Sequence, residues 1–176
     1  MTPFHIIGQP GAGKTTLIVD LIQGLVGRGI RVGSIKHSAH THELDKPGKD
    51  SFCHRKAGAS PVTMMAGEMA AIYLPVSGDK GLTPQTILEN PLYQGLDLVL
   101  IEGWISGPYP KMEVWRKEAG RPPLFPEVKG VMGLVTDDLL EPEFQSRAGE
   151  LSLRFFPRKA PMKIVEDLLL RLSSSS

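Results

Sequence analysis

The chain is almost without cysteine. One residue, Cys53, stands in 176, so no disulfide can close within the chain. It also lacks an excess of either charge. Lys and Arg total 20 against 19 Asp and Glu, a formal net of +1. A general grip on nucleic acid needs a basic surplus, so nucleic acid is not an expected partner. No apolar run approaches the roughly 20 residues that cross a bilayer, so no membrane role is expected. The opening MTPFHIIGQPGAGK enters a functional motif at once and leaves no room for a signal peptide. Repeats and inter-domain linkers are missing too. What remains is ordinary globular composition, 41% hydrophobic and 22% charged, at a length that can bury a real core. The expectation is a cytoplasmic protein, with residues 1–172 forming one domain and 173–176, in the terminal serine run, a disordered tail.

The chemistry begins at GQPGAGKT, Gly8 to Thr15, which fits G-x-x-x-x-G-K-[ST] without a gap. FHII before it reads as a short buried strand. Leu17, Leu21, Ile22, Leu25 and Val26 after it recur at helical spacing, and the GRG at 27–29 ends the helix. Strand, glycine loop and helix stand in the order a phosphate loop requires. Gly8, Gly11 and Gly13 let backbone N–H groups turn inward, with Gln9, Pro10 and Ala12 completing the loop. The helix N-terminus adds partial positive charge. Lys14 is placed for the β- and γ-phosphates, Thr15 for Mg²⁺ and Thr16 for the α-phosphate.

Further strands are expected at 31–36, 97–104, 111–116 and 130–135. Val62–Met65 with Ala70–Leu74 reads as a hairpin. Asp50 or Ser51 is the candidate cap of a short helix that Gly58 stops, and Thr83-Pro84 opens another. Leu151, Leu153 and Phe155 alternate weakly. Pro161 opens a last helix bearing Val165, Leu168, Leu169 and Leu172 on one side. Strands alternating with helices define an α/β class: a P-loop NTPase-like, mainly parallel sheet flanked by helices, with an inserted β-hairpin. Glu102 ends the most apolar strand, where ligands of parallel sheets collect. It is a candidate to hold Mg²⁺ or orient an attacking water.

One stretch is unusually polar: KHSAHTHELDKPGKDSFCHRKAGA, Lys36 to Ala59. His37, His40, His42, His54 and Cys53 invite a metal reading, which the absence of any C-x-x-C pair weakens. A solvated surface is the plain alternative. A third reading places the stretch beside bound phosphates. Asp45 or Asp50 then meets Mg²⁺ or its waters, and Lys36, His37, Lys46, Lys49 and Arg55 receive anionic groups.

GAGKTTL, IKH, DKPGKDS, RKAGA, DLVLIEGW and KMEVWR, in this order over Phe4 to Asp138, resemble the MobB family of molybdopterin-guanine dinucleotide biosynthesis adapter proteins. The resemblance implies a GTP-binding homodimer with weak GTP hydrolysis, needing Mg²⁺. It implies a molybdopterin ligand, a MobA-like nucleotidyltransferase as partner, and a place in molybdoenzyme maturation. A GTP-dependent metal chaperone and a small-molecule kinase are the alternatives. Many GTPases read guanine with Asn-Lys-x-Asp after a late strand. This chain has none, but Thr136-Asp137-Asp138 follows GVMGLV, and Asp137 is the candidate base reader.

Overall fold

A computed structural model describes residues 1–38, 44–74 and 83–173. The described chain falls into two compact units, Met1–His37 with Leu88–Ser176, and Ser38–Ile87.

The larger unit is built on a six-stranded sheet. Its strands are β1 (Thr2–Ile7), β2 (Val32–Lys36), β5 (Leu98–Glu102), β6 (Lys111–Val114), β7 (Val131–Val135) and β8 (Arg154–Phe156), in the order β2-β5-β1-β6-β7-β8. Every pairing is parallel. Leu98, Val99, Leu100 and Ile101 are all buried, which suits a strand covered on both faces. The helices are α1 (Lys14–Val26), α4 (Pro142–Glu150) and α5 (Pro161–Ser173).

Side chains alternate across the sheet, and the two faces differ. Phe4, Ile6, Leu98, Leu100, Met112 and Val114 pack with Leu17, Leu21 and Leu25 of α1 and with Ile164, Val165 and Leu168 of α5. On the other face Trp115, Phe125 and Leu134 pack with Ala148 of α4. Three polar side chains, His5, Lys111 and Glu113, are buried in register positions of this second face. Lys111 donates to the carbonyls of Gly107 at 2.6 Å and Tyr109 at 3.3 Å. Glu113 accepts the amides of Leu124 at 2.7 Å and Phe125 at 2.8 Å, which ties the proline-rich connection to the sheet.

The smaller unit carries α2 (Asp50–Lys56) and the hairpin of β3 (Val62–Ala66) and β4 (Met69–Tyr73). The hairpin stands where the sequence places it. The cap of α2 does not: Lys49 is the capping residue, with no side-chain bond to the helix. The Ser51 hydroxyl instead donates to buried Asp45 at 2.8 Å, and Asp50 falls in the first turn, where its charge suits the helix dipole. The helix at Pro84–Leu88, α3, does carry its expected cap: Thr83 Oγ1 accepts the Thr86 amide at 3.2 Å. The helix α4 is absent from the sequence reading. It buries one residue, Ala148, so its apolar stripe is too thin to register.

Candidate functional site

The loop between β1 and α1 lies at the carboxyl ends of the central strands. Gly8 has φ +148°, and a Cβ there would collide with the carbonyl oxygen of Val114 on β6. Only glycine lets the chain leave the sheet so close to its neighbour. Gly13 caps α1 in a left-handed conformation. No side chain caps this helix and no acid stands in its first turn, so its leading N–H groups keep their anion-binding capacity.

The Lys14 ammonium folds back onto the loop, donating to the carbonyls of Gly8 and Gln9, each at 3.0 Å. Its pKa is lowered, first by burial and then by the nearby Lys36 charge, against the opposing pull of Glu102. Glu102 stands beside Ile6 in the β1–β5 register and beside Lys36 in the β2–β5 register. Its Oε1 accepts the Thr15 hydroxyl at 3.0 Å and faces the Lys36 ammonium at 3.6 Å. The side chain is 13% exposed, so the Glu102 carboxyl group sits in a largely closed place with these partners. The chain then turns sharply through Gly103, at φ +81°, and Trp104, a non-glycine residue at φ +56°. Trp104 stacks on His37 with ring centroids 4.4 Å apart.

The structure therefore brings together Gly8 to Thr16, Lys36, His37 and Glu102 within one unit. Asp137 follows β7 in the same unit. Its Oδ1 accepts the backbone amide of Arg158 at 3.0 Å, while Asp138 accepts the amide of Lys117 at 2.9 Å. Asp45, Lys46, Lys49, Asp50 and Arg55 belong to the smaller unit. There Asp45 is buried, bonded to Ser51 and facing Arg55 at 3.6 Å, while Lys46, Lys49 and Asp50 are exposed. His40 and His42 lie outside the described residues. Among the described residues, no three His, Cys, Asp or Glu side chains converge to hold a metal ion. None of the described helices is long and apolar enough to cross a membrane. Arg158, which the sequence reading passed over, sits against Gly13: its Nη2 would stand 2.7 Å from a Cβ on that glycine.

A parallel sheet, a glycine loop opening onto an uncapped helix, and a carboxylate on the neighbouring strand together define a P-loop NTPase-like α/β protein. The family model described as "Molybdopterin guanine dinucleotide synthesis protein B", MobB, matches residues 4–137. The chain belongs to this family. It is 39% identical over 113 residues to the molybdopterin-guanine dinucleotide biosynthesis adapter protein of Escherichia coli, covering 64% of this chain and 65% of that one. The protein of the same description from Haemophilus influenzae is 39% identical over 142 residues, covering 77% and 75%. A crystal structure of molybdopterin-guanine biosynthesis protein B superposes with a TM-score of 0.71 at 24% identity, covering 97% of this chain and 99% of that one. That likeness carries the fold, including the sheet and its flanking helices.

Proposed function

We propose that this chain is a GTP-binding adapter that assists synthesis of the molybdopterin guanine dinucleotide form of the molybdenum cofactor, with weak GTP hydrolysis. The observation that carries the reading is the 3.0 Å bond between Thr15 Oγ1 and Glu102 Oε1. It joins the last residue of the phosphate loop to the carboxylate of the adjacent strand. A hydroxyl and a carboxylate at this spacing are a fit donor set for Mg²⁺, which prefers oxygen ligands and completes its shell with water and phosphate. Thr15 and Glu102 would hold that ion, and the ion would neutralise phosphate charge. Lys14 would leave the Gly8 and Gln9 carbonyls for the β- and γ-phosphates. Glu102→Gln keeps the shape and removes the charge. Hydrolysis is expected to fall about tenfold or more, while GTP affinity changes little. Single-turnover hydrolysis beside calorimetry checks this, and unchanged turnover would return Glu102 to a purely structural role.

Guanine selection is assigned to Asp137. One of its oxygens takes the Arg158 amide, and the exposed carboxylate keeps lone pairs for guanine N1–H and the 2-amino group. Adenine offers neither donor. Asp137→Asn is therefore expected to weaken GTP and strengthen xanthosine triphosphate, shifting their preference about 100-fold. A variant that binds GTP as before, and xanthosine triphosphate no better, places base reading elsewhere.

The adapter role rests on the family. Exposed Lys46 and Lys49 are the proposed receivers of the anionic molybdopterin. A homodimer is supported by the two-stranded hairpin, whose Met65 and Met69 are 81% and 78% exposed and whose outer edges pair with no other strand among the described residues. A MobA-like nucleotidyltransferase, within cytoplasmic molybdoenzyme maturation, is the proposed partner. Co-purification with analysis of bound nucleotide and pterin tests the whole assignment: guanine nucleotide and pterin are expected together, and adenine nucleotide with no pterin would overturn it.

A further inference from the structure

We propose that Arg158 is a second cationic contact for the nucleotide's phosphates, reaching the site from the segment after β8 and lying over Gly13 at the head of α1. The inference rests on the nucleotide-binding reading above and adds a residue to that site.

Four observations converge. The Arg158 guanidinium lies over Gly13, with Nη2 2.7 Å and Cζ 3.6 Å from where a Cβ would stand. Gly13 is the cap of α1, so the cation is packed at the positive end of a helix. That is the wrong end: cations favour helix C-termini, and nothing in the helix itself rewards an arginine here. Second, no hydrogen bond or ion pair engages the guanidinium among the described residues. Glu102, the carboxylate at the end of β5, is already taken by Thr15 and Lys36. Asp137 takes the Arg158 amide. Third, the backbone is held while the side chain is not. The Asp137 bond fixes residue 158, Pro157 precedes it and α5 begins at Pro161. Fourth, Arg158 is half-buried, so its charge is only partly relieved by water.

Lys14, on the Gly8 and Gln9 carbonyls, and Arg158, over Gly13, thus both lie at the glycine loop beside an uncapped helix N-terminus, a place that favours negative charge. A di- or triphosphate supplies that charge. The guanidinium fork matches phosphate oxygens in a way a point charge does not. A bare Gly13 is also what lets the side chain lie so close, because any larger residue would displace it.

The test compares Arg158→Ala, Arg158→Gln and Arg158→Lys with Lys14→Ala, titrating GTP, GDP and guanosine by calorimetry at several salt concentrations. Arg158→Ala and Arg158→Gln are expected to weaken GTP and GDP about 10- to 100-fold, to leave guanosine unchanged, and to flatten the salt dependence. Arg158→Lys recovers part of the loss. Thermal melting within a few degrees of the parent, most readily for the Gln variant, establishes that the fold is kept. If Lys14→Ala loses GTP but Arg158→Gln binds it as the parent does, or more tightly, Arg158 only covers Gly13 and the inference is overturned. An equal loss for guanosine would mean contact with the base or sugar and would also overturn it. If neither lysine nor arginine matters, the nucleotide-binding reading itself fails.

Discussion

Lys14→Ala is expected to lower GTP affinity by about 100-fold or more while the protein stays folded. The ammonium is half-buried and rests on two loop carbonyls, at 3.0 Å each. Burial already disfavours its charge, which a triphosphate would restore to full use. On the proposed reading, losing the side chain would remove a charge-assisted contact to two phosphates at once. It leaves untouched the glycines, the uncapped helix and the close approach of Gly8 to Val114. The stability cost is the two bonds to Gly8 and Gln9, about 1 kcal/mol each. Calorimetry with GTP, beside a thermal melt, separates the two effects. Equal GTP affinity in variant and parent would refute the phosphate-loop assignment.

Glu113→Gln is expected to expose a pH dependence of stability that the parent conceals. Two buried groups on one sheet face titrate in opposite senses. Burial, aided by the Lys111 charge, lowers the His5 pKa from 6.5 to about 4. Between these values the unfolded chain takes up a proton that the folded one refuses. The His5 contribution is thus whole above pH 6.5 and is lost as pH falls toward 4. Burial raises the Glu113 pKa from 4.5 to about 7, although the amides of Leu124 and Phe125 pull it down. Its contribution is whole below pH 4.5 and is lost as pH rises toward 7. Each gap amounts to about 3 kcal/mol. Over pH 4.5 to 6.5 the two slopes cancel, so these groups leave the parent nearly flat there. The Gln variant keeps only the His5 slope and loses about 3 kcal/mol between pH 6.5 and 4. Urea unfolding at four pH values in this range reads it. A variant whose pH profile parallels the parent's would show that the two groups do not titrate in this way.

The same second face shows how far a sequence can be read. Leu98 to Ile101 form an unbroken apolar run, and the run alone implies a strand covered on both sides. Lys111 and Glu113 in KMEVWR look like the solvent side of a strand, because charged residues at alternate positions usually are. Tertiary structure buries both. The backbone of the segment at 103–110 and the proline-rich connection supply their partners, and no local pattern announces a partner supplied from another segment. The thin helix α4 was illegible for a related reason: one buried alanine leaves no periodicity to find.

For the site, the division follows sequence distance. GQPGAGKT carried the loop, the left-handed glycines and the lysine by itself, since a strand, a turn and a helix within one short segment are governed by local backbone geometry. The acid at the end of the buried strand could also be picked out, because burial beside a phosphate loop leaves few uses for a lone carboxylate. That Glu102 meets Thr15, and that Lys36 faces it, was decided by the parallel registers of β1, β2 and β5. Arg158 was decided wholly by the fold. It lies far along the chain from Gly13, after a three-residue strand, and only the packing of α5 beside α1 with the Asp137 anchor brings its guanidinium to the loop. Sequence by itself determined the class of protein and the local glycine-loop apparatus. The tertiary structure decided which distant charges gather around that apparatus, because electrostatic contact depends on separation in space rather than along the chain.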